Sequence, residues 1–197
     1  MKSAKKILTI LSISTISSLS LFGCGSSDSD VDVSEYFEIS DAENAEDEDW
    51  LTYTCDTAKF SISIPAEWEE YLTLSIEEED DSIYYVYLLI QTDYWDVGVV
   101  WYSDATADWL YEAVFDAYED EFDSITDMEE GEKALPSADY ALNLVDDSDE
   151  EEAGEMYIIA SEDDVYEVFW EVFYDDETYD DDAAACREVA ASFVITD

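Results

Sequence analysis

The chain has 197 residues, 55 of them Asp or Glu against six Lys or Arg, and contains no histidine. A net charge of −49 excludes a nucleic-acid partner, since no basic stripe exists to release counterions from phosphate. The missing histidine removes Ser-His-Asp and Cys-His catalysis, histidine general bases and histidine zinc sites together.

Lys2, Lys5 and Lys6 precede an apolar and hydroxyl-rich run from Ile7 to Phe22. A positive start, a short hydrophobic centre and a small residue before the break predict a secretory signal peptide over residues 1–23. The run is too short and too serine-rich for a membrane span, which needs about 20 mostly apolar residues. The break itself, Leu21-Phe22-Gly23-Cys24, resembles a bacterial lipobox. That resemblance implies a diacylglyceryl group on the Cys24 thiol, cleavage before it, and Cys24 as the first mature residue. An ordinary signal peptide with a nearby cysteine is the alternative. Two acyl chains, at about 0.8 kcal/mol per buried CH₂, anchor stably where one chain binds marginally. The expected location is the extracytoplasmic face of the cell membrane, reached through the lipid anchor.

Residues 24–49 are rich in Ser, Asp and Glu and read as an extended, self-repelling linker. Residues 50–197 form one globular domain, because 48% apolar and 15% aromatic residues over the chain suffice for a core despite the acid. Phe60, Ile62 and Ile64 alternate with serines as a half-buried strand that Pro65 ends. Leu72, Leu74 and Ile76 alternate again, and Glu77 to Asp81 read as a hairpin loop. "SIYYVYLLIQ" and "VGVVWY" are apolar on both faces, as central strands are.

Leu110, Val114, Ala117, Tyr118, Phe122 and Ile125 recur at helical spacing, with Asp104 or Thr106 as the cap. Strands follow at about Ala138–Val145, Met156–Ser161 and Val165–Tyr174, the last two joined by the turn "SEDD". A final helix, capped by Thr178, places Tyr179, Ala183, Cys186, Ala190 and Phe193 on one face. The fold class is α+β: a largely antiparallel β-sheet flanked by helices.

"FSISIPAEW" at one end and "ASFVI" at the other, with a meander, a helix and more strands between, resemble the PsbP-like α/β/α sandwich. The resemblance covers roughly Leu51 to Ile195 and rests on Phe60, Ile62, Ile64, Pro65, Trp68, Ser192 and Phe193. Lys59 stands where that family usually has a glycine. The resemblance implies a non-catalytic binding or assembly module and carries no site residues over.

Cys55 and Cys186 remain after the anchor, an even count in an exported chain. They form either a disulfide closing nearly the whole domain or two buried free thiols. The acid runs Glu77–Asp81, Asp146–Glu152 and Asp175–Asp182 are read as solvated loops, with weak, diffuse Ca²⁺ binding as the fallback and no cofactor. Tyr84, Tyr94, Trp95, Trp101 and Trp109 are read as core rather than as a stacking platform for glycans. The expected function is a non-enzymatic accessory or protein-binding module of the cell envelope, meeting a protein with a basic patch. The alternative is a glycan- or calcium-binding domain at the cell wall.

Overall fold

The computed structural model describes residues 36–42, 50–79, 82–118, 122–146, 152–162, 164–173 and 179–196. The expected signal peptide, the lipidation site Cys24 and the Thr178 cap lie outside them.

The first three strands are β1 (Phe37–Asp41), β2 (Trp50–Cys55) and β3 (Phe60–Pro65). A 3₁₀ helix (Ala66–Tyr71) then leads into β4 (Leu72–Glu79), β5 (Ser82–Gln91) and β6 (Trp95–Ser103). Helix α1 (Ala107–Tyr118) is followed by β7 (Ser124–Asp127), β8 (Tyr140–Asp146), β9 (Glu152–Ser161) and β10 (Asp164–Phe173). Helix α2 (Tyr179–Ala191) and the short β11 (Val194–Ile195) close the domain.

Among the described residues the strands form two sheets rather than one: four strands in the order β1-β2-β3-β11, and seven in the order β4-β5-β6-β10-β9-β8-β7. Neighbouring strands run antiparallel throughout both. The change of sheet falls at Pro65, which closes β3 and enters the 3₁₀ helix. Trp68 of that helix packs on Trp95 of β6 at a ring separation of 4.1 Å, tying the two sheets together.

Period-two alternation gives each central strand two apolar faces. Val97, Val99 and Trp101 of β6, with Tyr166, Val168, Trp170 and Val172 of β10, face a core shared with the small sheet and with Cys186, Val189 and Ala190 of α2. Val100 and Tyr102 of β6, with Val165 and Phe169 of β10, face Leu110, Ala113, Val114 and Tyr118 of α1. Helices therefore cover both faces of the large sheet, and the fold is the α+β class expected.

The two ends of the domain meet in space. Phe193 stacks on Phe60 at 5.9 Å, and the Ser192 hydroxyl accepts the Ser63 N–H at 2.8 Å while donating to a nearby carbonyl. Lys59, just before Phe60, holds φ = 50°, the left-handed region that glycine occupies without strain.

Several boundaries differ from expectation. Phe37–Asp41, within the stretch read as linker, is a strand paired with β2 and is seated by the buried Phe37. Helix α1 starts at the Thr106 cap, whose hydroxyl accepts the Trp109 N–H at 3.3 Å; its described residues run to Tyr118, whose carbonyl accepts the Phe122 N–H at 3.0 Å. Phe122 remains buried against it, while the β-branched pair Ile125-Thr126 leaves for β7 and pairs with β8. The acids Glu77 to Glu79 continue β4, with Glu79 paired to Ser82 of β5.

Candidate functional site

A row of polar side chains crosses one face of the large sheet at its β7 end. Thr126 of β7 stands opposite Asn143 of β8, Asn143 opposite Glu155 of β9, and Glu155 opposite Trp170 of β10. The inner end of the row is buried, with Glu155 7% exposed. A buried carboxylate is costly unless it is paired and hydrogen-bonded. Here the Oε2 atom of Glu155 accepts from Trp170 Nε1 at 3.0 Å, from Arg187 Nε at 2.9 Å and from the Tyr157 hydroxyl.

Arg187 projects from α2, and an Nη group also donates to the carbonyl of Glu132. The Tyr157 hydroxyl in turn accepts the Ala134 N–H at 3.2 Å. Burial and the Glu155 bond push the Tyr157 phenol well above its ordinary value, so it stays a neutral donor. One carboxylate thus joins β9, β10, α2 and the loop between β7 and β8.

Above this network opens a cleft of about 930 Å³. Its floor is Thr126, Asn143 and Glu155; one wall is Ala184, Arg187, Glu188 and Ala191, which the helical repeat places in a single stripe of α2. The loop bearing Gly131, Glu132 and Lys133 forms the other wall. The alanines keep the cleft wide. Lys133 is 7% exposed in its side chain and turns aside, its Nζ donating to Glu130 at 2.8 Å and to the Ala138 carbonyl at 3.4 Å. The cleft presents fixed hydrogen-bonding groups suited to holding a polar ligand.

Three more carboxylates, Asp96, Glu167 and Glu171, are buried on the opposite face, beneath the α1 side. Asp96 stands opposite Glu171 and accepts from Gln91 Nε2 at 2.9 Å. Glu167 accepts from the Tyr102 hydroxyl at 2.9 Å. Burial, opposed by that bond, raises the Glu167 carboxyl to about 7.

Of the residues singled out in the sequence, Cys55 and Cys186 are buried free thiols, and no bridge joins them. Burial raises both thiols, so neither is a reactive thiolate in the folded chain. Nearby acids add to this, Asp56 for Cys55, and Asp182 and Asp96 for Cys186. Trp95 and Trp101 are core residues, Tyr84 and Trp109 are half-buried, and Tyr94 is exposed. They gather no platform with the cleft. Much of the three acid runs lies outside the described residues; among the described residues no group of three or more potential metal ligands converges.

Sequence reasoning missed Glu155, Arg187 and Asn143. Arg187 carried a usable signal, being the only arginine in the chain, on a helix that opens with three aspartates. Glu155 had none, as one acid among 55.

The chain aligns with the solution structure of cyanobacterial PsbP (CyanoP) from Synechocystis sp. PCC 6803 at 9% identity. That alignment covers 79% of this chain and 98% of the other, with a TM-score of 0.42. A protein from Bacteroides thetaiotaomicron VPI-5482, known from a crystal structure, aligns at 11% identity over 74% of this chain and 48% of its own, with a TM-score of 0.38. No protein-family model and no curated protein matches the sequence.

Proposed function

We propose that this protein is a non-catalytic binding module, held outside the cytoplasmic membrane by a diacylglyceryl group on Cys24, that meets a protein partner bearing a basic patch. The observation carrying this reading is how the chain uses its few cations. Lys133 is engaged by Glu130 and Arg187 by Glu155, and six cations against 55 acids leave the surface strongly negative. A surface of one sign steers oppositely charged partners and repels nucleic acid and anionic headgroups. The charge acts over a Debye length of about 8 Å at physiological salt.

Two measurements test it. Binding of a basic protein domain to the full-length chain should weaken steeply between 50 and 300 mM salt; affinity unchanged over that range refutes the electrostatic partner. Replacing Cys24→Ser should move the protein from the membrane to the soluble fraction. An unchanged distribution refutes the anchor.

A further inference from the structure

We propose that the cleft beside Arg187 binds an alkylammonium group, the end of a lysine side chain offered by the partner; this rests on the basic-partner reading and names the site where that partner is gripped. Glu155 is fixed by three donors that all converge on Oε2, while Oε1 receives none from the described residues and Glu155 lines the cleft. Next along the floor are the Asn143 amide and the Thr126 hydroxyl, both able to accept. An ammonium carries three donors and no acceptor, which matches this row.

The spacing fits as well. Neighbouring strands lie about 4.8 Å apart. Side chains directly opposite on two such strands lie about 5 Å apart at Cβ, within reach of a single ammonium. Glu155 and Asn143 are one such cross-strand pair.

Charge selects the sign of the ligand. Asp127, Glu132, Glu155 and Glu188 line the cleft against Arg187 and Lys133. Arg187 is held by Glu155 and the Glu132 carbonyl, and Lys133 by Glu130. The Asp127 carboxylate turns to the α1 face, where it accepts from the Tyr111 hydroxyl at 3.3 Å; the exposed carboxylates Glu132 and Glu188 remain in excess and favour a cation. No aromatic ring is among the lining residues, so a stacked sugar finds no platform there.

The test titrates the full-length chain with N-acetyl-glycyl-lysyl-glycine amide, its Nε-acetylated form and spermidine, following the Asn143 side-chain amide by NMR. The lysyl peptide should shift that signal and the acetylated peptide should not. Glu188→Lys, at an exposed site on the cleft wall, should weaken binding about tenfold. Glu112→Lys, at an exposed site on α1 with the same change in net charge, should alter it less than twofold. Melting curves of both variants confirm that they fold. Equal losses in the two variants, or equal binding of the acetylated peptide, overturn the cleft while leaving the basic-partner reading standing. Failure of any basic probe to bind at low salt overturns both. Spermidine binding at the cleft more tightly than the peptide overturns a protein as the source of the amine.

Discussion

Glu167 offers a quantitative test of the buried face. It lies on β10, opposite Val100 of β6 and Ile158 of β9, and is 2% exposed. It accepts a hydrogen bond from Tyr102, whose own phenol is raised by burial and by Glu167, so Tyr102 stays a neutral donor. Tyr85, from the adjacent strand, is likewise raised by burial and by Glu167. The carboxyl accordingly holds its proton up to about 7 when folded, against 4.5 as its ordinary value. Between those limits the unfolded chain releases a proton that the folded chain keeps. Stability must therefore fall as pH rises through that window and level off above it. The loss amounts to about 3 kcal/mol.

Glu167→Gln removes the titration while leaving an acceptor for Tyr102. Urea unfolding of both proteins at constant ionic strength, from pH 4 to pH 8, isolates the effect, because repulsion among the other carboxylates is common to both. The variant should gain about 3 kcal/mol on the wild type between pH 4 and pH 8, with most of the change below pH 7. A stability difference that stays flat across that range would refute the buried, protonated carboxyl.

Arg187→Ala leaves Glu155 buried with Trp170 and Tyr157 as its remaining donors, and should cost about 2 kcal/mol in urea unfolding at neutral pH. Adding Glu155→Gln to it should recover part of that loss; a double variant losing the full sum of both single losses would show that the pair is not coupled. Lys59→Gly should raise stability by about 1 kcal/mol, since glycine adopts φ = 50° without a Cβ clash; a loss would mean that the side chain contributes packing outweighing the backbone strain. In a chain carrying Cys24→Ser, a thiol reagent should find no reactive cysteine when the protein is native and two on unfolding without reductant, and detection of neither would indicate a disulfide.

The strands were readable wherever one physical signal dominated. Phe60, Ile62 and Ile64 alternate cleanly, and the apolar runs of β5 and β6 fit strands covered on both sides, so their placement follows from burial alone. Boundaries failed where two signals compete. Phe122 and Ile125 continue the helical spacing of α1, yet Ile125-Thr126 pairs with β8, an interaction between strands that no local window contains. Phe37 was hidden by the acids around it, since a single buried ring decides the docking of β1 while composition argues for a linker. The cleft was harder still. Thr126, Asn143 and Glu155 are separated in the chain and meet only through the register of three strands.

That register also explains how so acidic a chain keeps a core. A carboxylate on a central strand must be neutralised by a proton, a cation or several donors. Glu167 takes the proton, with Tyr102 as its donor. Glu155 takes Arg187, supplemented by a phenol and an indole. These two solutions depend on different partners: the first needs its proton and Tyr102, the second needs the cation that α2 supplies. Removing that cation by Arg187→Ala should therefore loosen α2 from β9 while sparing the α1 face. Hydrogen exchange of wild type and variant at neutral pH separates the two, because amides of α2 should lose protection relative to those of β10 near Glu167. Equal losses on both sides would mean that the whole domain responds as one unit, rather than that Arg187 ties α2 to β9 locally.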